Sequence, residues 1–413
     1  MELKNYNYHL LSLLSAAIIP LLVLGPFFPD LIVSLMSLWF IYFSFKNKLY
    51  YKFQNIFFYF FLAFCLVCII SSLISENILL SFESSLFYFR IGIFALLISF
   101  LIEQDKKILD YFYYSFLITY TALIIDGFVQ YFTGFNIVGY ELTIDRVSSF
   151  FNDELILGSY LVRLFPLFFA LFIIKQNKKL LENYFAYSVF ACTYVLIFLS
   201  GERTSFFFLN LFIIFIVVLL KWGKLIRLII LFTSIILLFF LILVDNKYYE
   251  RYISTTLKQF SFNTKNYQPK YIFSAQHDSI YRTAWNMFLD KPLIGHGPKM
   301  YRIKCKEKKY AVGLSACHTH PHNFYIQLLA ETGLIGFTFL LSIFVYLIYL
   351  ILKHIYRKII YNQVNFSNYQ ICLLGGLFIT LWPLSPNGSI FNNYLMILYS
   401  LQIGFFSIDK KSI

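Results

Sequence analysis

The feature that most limits what this chain can fold into is a series of long apolar runs. Twelve recur along it, at 9–27, 31–45, 56–75, 86–102, 110–132, 158–174, 184–200, 205–220, 225–244, 333–352, 369–386 and 391–407. A bilayer core about 30 Å thick takes about 20 apolar residues to cross as a helix, and a helix satisfies its own backbone polar groups. The runs therefore predict an all-α integral membrane protein with about 12 transmembrane helices. Composition agrees, with 59% hydrophobic and only 13% charged residues. Soluble globular, disordered, collagen-like and small disulfide-stapled classes are excluded on that ground. A second run follows the first at once, with no small-residue cleavage site between them, so the first reads as a retained helix rather than a signal peptide.

The formal net charge of +13 raises nucleic acid as a partner, but its placement argues otherwise. Lys46, Lys48, Lys52, Lys106, Lys107, Lys175, Lys353 and Arg357 all fall in alternate short connections; that set holds seventeen Lys and Arg, against Arg146 and Arg203 in the others. Such alternation is the positive-inside signature, and it predicts both termini in the cytoplasm. The basic excess is thus mostly a topology signal, and no nucleic-acid partner is expected.

Three regions follow: spans one to nine over 1–244, a large hydrophilic loop over 245–332 on the non-cytoplasmic face, and the last three spans over 333–413. The loop carries thirteen Lys and Arg of its own. Long translocated loops escape the positive-inside rule, so a polycationic outer loop suggests an anionic substrate such as a lipid diphosphate or an acidic glycan. No matched pair of broken helices points to a transporter.

Polar chemistry concentrates in four segments on that same face. They are Asp145 to Glu154; Ser200-Gly201-Glu202-Arg203-Thr204; Arg282 through Trp285 and Pro292 to Gly295-His296-Gly297-Pro298; and Cys317-His318-Thr319-His320-Pro321-His322-Asn323, continuing through Tyr325, Gln327 and Glu331 to Gly333 and Gly336. An arginine grips phosphate oxygens through several donors and never loses its charge. Arg203, at a tight turn near the membrane surface, is the first candidate for that role, Arg282 the second and Arg146 the third. Each has a plainer alternative: lipid anchoring or pairing with Glu202 for Arg203, pairing with Asp278 or Asp290 for Arg282, and a bridge to Asp145, Asp153 or Glu154 for Arg146. A histidine titrates near neutrality and suits the base that takes a hydroxyl proton. Gly295-x-Gly297-Pro298 reads as a tight turn rather than a phosphate cradle.

His322-Asn323, nine residues, Gly333, two residues, Gly336, together with the Gly-x-Arg-Thr turn and the Arg-x-x-Trp…Pro-Leu-x-Gly-x-Gly-Pro stretch, resembles the O-antigen ligase and O-antigen polymerase superfamily over about 140–345. The resemblance implies a GT-C-like, metal-independent inverting glycosyltransferase without cofactor. It would move a surface glycan from undecaprenyl diphosphate to an acceptor on the periplasmic side of a bacterial inner membrane. Lipid A–core is the favoured acceptor, as in an O-antigen ligase in lipopolysaccharide biosynthesis. The alternatives are polymerisation of repeat units on the same carrier and, more remotely, a lipid-linked oligosaccharide transporter. His322 is then the expected base and Arg203 and Arg282 the groups that stabilise the leaving diphosphate. Arg146, Asn323, Glu331 and Tyr325 are expected substrate contacts, although a helix-surface position is the plainer reading for Tyr325 and Gln327.

His318-x-His320-x-His322 also has the alternation of a zinc site, but the transfer chemistry accounts for His322-Asn323 and no metal is expected. Cys65, Cys68, Cys192 and Cys372 fall in spans and read as packing residues. Cys305 and Cys317 share the outer loop, where an oxidising compartment permits a disulfide that would hold the histidine segment.

Overall fold

The computed structural model describes residues 8–175, 180–221, 246–259 and 274–406, with residues 232, 234–236 and 239 between them. The chain is a bundle of α-helices, and no strand occurs among the described residues. The principal helices are α1 (His9–Leu24), α2 (Phe27–Lys46), α3 (Ile56–Leu73), α4 (Ile78–Ser85), α5 (Phe89–Gln104), α6 (Lys107–Thr133), α7 (Leu157–Lys175), α8 (Leu180–Leu199) and α9 (Arg203–Leu219). They continue as α10 (Ala275–Asp290), α11 (Phe324–Ile360), α12 (Asn368–Thr380) and α13 (Asn393–Phe406). Eleven of the expected runs coincide with helices, and the ninth, 225–244, lies largely outside the described residues. Seven of the described helical segments are long and apolar enough to cross a membrane, and four further apolar helices are shorter. The protein is a multi-pass membrane protein.

Inside the bundle α7 packs on α12, α5 on α13 and α1 on α6. Small residues permit the closest of these approaches. A Cβ on Gly376 would lie 2.8 Å from Pro166 Cβ, and one on Gly375 would lie 2.8 Å from Phe215 Cδ1, as expected where helices meet without a hydrophobic driving force between them. Aromatics fill the remaining space, with Phe165, Phe168, Phe169 and Phe172 all ringed around Phe190.

The two ends of the bundle differ. One gathers the lysine-bearing turns, with Lys52 on Glu103, Lys175 on Asp110 at 2.8 Å, and Lys358 on the last carbonyls of α9. The other gathers the segments 134–156, 200–202, 274–323 and 381–392. There α10 and the first turns of α11 enclose a separate small core of Ile280, Ala284, Met287, Tyr301, Cys305, Tyr310 and Ala330.

Two element boundaries depart from the sequence reading. The tenth run was expected to begin at 333, but its helix begins at Phe324 and kinks at Gly333, whose φ is +65°. The eleventh was expected to run to 386, but α12 ends at Thr380. Pro383 and Pro386 cannot continue a helix, so 381–392 is a loop at the same end as His322.

Candidate functional site

The histidine motif is built on a close backbone approach. Gly333 takes the left-handed conformation that only glycine adopts without strain, and a Cβ there would collide with the Leu293 carbonyl. Gly295 faces the same contact from the other side, and its Cβ would meet the Glu331 backbone. With both side chains absent, His296 N donates to Ala330 O at 3.1 Å, Gly297 N to Glu331 O at 2.8 Å and Leu334 N to Pro292 O at 2.8 Å. The Gly295–Pro298 element is the tight turn the sequence implied, and it locks the start of α11 against the end of α10.

Asn323 is the N-cap of α11. Its Oδ1 accepts from Tyr325 N at 2.9 Å and Ile326 N at 3.3 Å, filling the role of a helix cap. Its Nδ2 donates to Pro383 O at 2.8 Å and Ser385 O at 3.3 Å. Asn323 thus ties the motif to the 381–392 loop, with both ends of its amide engaged by the protein. Glu331 is fully buried, accepting from Tyr301 N at 3.0 Å and Gln327 Nε2 at 2.9 Å. Tyr325 is buried against Phe337 and donates its hydroxyl to Leu381 O at 2.7 Å. Neither is among the residues lining the cavity described next, and both side chains are engaged by the protein. The plainer expectation of a helix-surface position for Tyr325 and Gln327 fails, because both are inside.

His322 and His320 line a cavity of about 700 Å³, together with Arg163, Glu202, Asn387 and the turn between α1 and α2. His322 sits amid imidazoles: ring centroids lie 4.3 Å away for His320, 5.2 Å for His318 and 6.0 Å for His277. Burial, then the charges its neighbours would carry, lower the His322 pKa to about 3. Burial likewise lowers His320 to about 4 and depresses His277, where the Arg203 guanidinium adds to the effect. At neutral pH the His322 ring is therefore uncharged, with a lone pair to accept a proton. Among the described residues no group of histidine, cysteine and acidic side chains has the arrangement of a metal site.

Glu202 is the hinge of the 200–202 turn. Its carboxylate accepts from Gly158 N at 2.7 Å and Ser159 N at 3.0 Å, at the start of α7, and from Ser205 Oγ at 3.0 Å. A carboxylate there complements the helix N-terminus, so Glu202 holds α7 rather than pairing with Arg203. Loss of water around it raises its pKa, against the pull of Arg146.

The expected arginines do not share the histidine cavity. Arg203 lines a second, smaller one of about 240 Å³ with Lys247 and Arg251, and its Nη1 donates to Thr256 Oγ1 at 3.1 Å. Its charge still reaches the imidazole cluster through His277. Arg282 is exposed on α10, 3.8 Å from Asp278, which is the plainer of its two readings. Arg146 binds backbone, donating from Nε to Ser200 O at 2.9 Å and from Nη2 to Leu155 O at 3.3 Å. The carboxylate bridge expected of it does not form with Asp145, which pairs instead with Lys247 at 2.7 Å. Cys305 and Cys317 are joined as a disulfide, five residues before His322 at its nearer end.

Sequence reasoning assigned no role to five residues. Arg163 had a usable signal, since a charged side chain within an apolar run is costly in a membrane and marks function by default. Asn387 was hidden because its loop read as span, and His277, Lys247 and Arg251 sat undistinguished in the long loop.

A family model described as O-antigen ligase matches residues 188–341, which include the Arg203 turn, α10 and the histidine motif. Over that segment the resemblance drawn from the motifs holds. No curated protein matches the chain.

Proposed function

We propose, on the premise that residues 188–341 are of O-antigen ligase type, that this protein transfers a glycan from a polyprenyl-diphosphate carrier to an acceptor hydroxyl. The observation that carries the reading is the coincidence of the matched segment with an uncharged, half-buried His322 in a cavity large enough for sugar residues. His322 takes the acceptor proton as the oxygen attacks the anomeric carbon. The bond from that carbon to the phosphate oxygen breaks, and the carrier diphosphate leaves with the bonding electrons, so the configuration inverts.

Growing charge on the diphosphate needs fixed cations. Arg203, with Lys247 and Arg251 beside it, supplies them from the smaller cavity. Arg282, exposed on α10, is the second residue assigned to the donor diphosphate in this reading. The reaction needs no metal and no nucleotide. The lysine-rich turns at the opposite end of the bundle support a cytoplasmic location for that end, and hence a site on the periplasmic face of a bacterial inner membrane, with twelve spans in all.

Ligation to lipid A–core is the favoured reaction, and polymerisation of carrier-linked repeat units is the second. The test is a reconstituted assay in which the purified protein receives carrier-linked glycan and either lipid A–core or a second carrier-linked unit. Product on lipid A–core alone establishes ligation. Chain growth on the carrier alone transfers the proposal to polymerisation, and donor consumption with neither acceptor contradicts it.

A further inference from the structure

His322 holds a left-handed backbone conformation, with φ +55°. That region is strained for a residue with a side chain and persists only where surroundings enforce it. The enforcing contact comes from the 381–392 loop, where Asn387 N donates to the His322 carbonyl at 2.7 Å. Asn387 is itself buried and held on both sides of its amide. Its Nδ2 donates to Thr380 O at 3.3 Å, and its Oδ1 accepts from Arg163 Nη2 at 2.8 Å.

Arg163 is anchored in turn. Nε donates to the Tyr399 hydroxyl at 3.0 Å, Nη1 donates to the Ser159 carbonyl at 3.3 Å and to its hydroxyl, and the guanidinium faces Phe208 at 5.9 Å. Only 4% of Arg163 is exposed, a level that a guanidinium reaches only when its donors are met. The chain of contacts joins α7, α13, the loop before α13 and the histidine motif, and both Arg163 and Asn387 line the His322 cavity.

We propose that Arg163, acting through Asn387, is the positioning residue for His322: a fixed cation inside the bundle that sets the strained backbone of the base. This rests on the reading of His322 as base. It assigns function to a residue of the membrane-embedded helices and to a loop outside the matched segment 188–341. Asn387→Ala removes the acceptor that Arg163 grips while leaving the backbone donor in place. A shift of the base by about 1 Å costs up to roughly 100-fold in rate, so a fall of about tenfold or more in kcat is expected, with KM for donor and acceptor little changed. Asn387→Asp keeps an oxygen for Arg163 and restores most of the rate.

Two measurements on the full-length protein in nanodiscs test this. The first is transfer in a double-mutant cycle: Asn387→Ala placed in a His322→Ala background causes no further loss if it acts only through the base. An equal loss in both backgrounds makes Asn387 a merely structural residue and overturns the proposal. The second needs no activity. Carbethoxylation of His322 by diethyl pyrocarbonate, read by mass spectrometry against the exposed His9, accelerates in Asn387→Ala and returns toward the wild-type rate in Asn387→Asp. Unchanged modification in Asn387→Ala contradicts the clamp. Absence of transfer by the wild-type protein, together with accelerated modification in Asn387→Ala, refutes the reading of His322 as base and leaves the clamp standing.

Discussion

The histidine cavity and the arginine cavity meet at the turn of residues 200–203, and they treat charge in opposite ways. In the first, the one guanidinium, Arg163, is held by protein acceptors, and burial keeps His320 and His322 uncharged. In the second, Arg203, Lys247 and Arg251 stand around a small space with Asp145 and Glu250 as the carboxylates among its lining residues. The two environments suit the different tasks proposed for them: burial leaves the His322 imidazole uncharged at neutral pH, whereas a bound diphosphate calls for positive charge close by. The turn that separates them carries Glu202 toward the one side and Arg203 toward the other, so adjacent residues serve different cavities.

The strongest way to break this division is at His322. His322→Ala is expected to lower transfer at least about 100-fold, the usual loss on removing a general base. His318→Ala, whose ring is 5.2 Å away and outside the cavity lining, should cost only a few-fold. Equal losses rescued by zinc would replace the base with a metal site. Arg203→Ala comes next: a loss of roughly 10- to 100-fold is expected from removal of a charge-assisted contact to the leaving group. Arg282→Ala, exposed and near Asp278, should lose less. The reverse order, measured as kcat/KM for the donor, would move the diphosphate to the face of α10.

A third contrast concerns the support of each cavity. Opening the Cys305–Cys317 disulfide with serines is expected to destabilise the extramembrane core by about 3 kcal/mol, from the unfolded-state entropy of a short loop. It should slow transfer through the histidine segment while leaving donor affinity at Arg203 intact. Thermal unfolding and donor KM report the two effects separately.

The smallest effect is with pH. A His322 pKa lowered to about 3 means that the free protein keeps its base unprotonated throughout the neutral and mildly acidic range. The kcat/KM for donor should therefore show no acid limb near pH 6.5, where an ordinary imidazole would give one. A limb at that position would show that the ring is not in the environment described.

How far these features were legible in the sequence depends on what carried the signal. Apolar runs and lysine-rich turns marked the helices because membrane insertion imposes length and charge rules that need no tertiary knowledge. The Gly333 and Gly336 spacing was visible, but its purpose was not. Gly333 serves a backbone approach to Leu293 and Gly295, forty residues away in sequence. Asn323, Tyr325 and Glu331 lay beside the expected base and were assigned to substrate by proximity. Their side chains turn inward because the first turns of α11 must bury a face against α10 and the 381–392 loop. Asn387 was illegible for a different reason. Leu384 and its neighbours continue the apolar run, and only the two prolines hinted that the helix stops early. Arg203 and His322 were singled out, yet their placement in separate cavities follows from the fold around the turn of residues 200–203, and no sequence pattern records that.

The most direct test of the account is the stereochemistry of the product. The purified protein, given a carrier-linked donor of defined anomeric configuration and its acceptor, should yield a glycan whose new linkage is inverted by NMR at the anomeric proton. Retention of the donor configuration would require a covalent glycosyl intermediate, and it would contradict direct attack by a hydroxyl that His322 deprotonates.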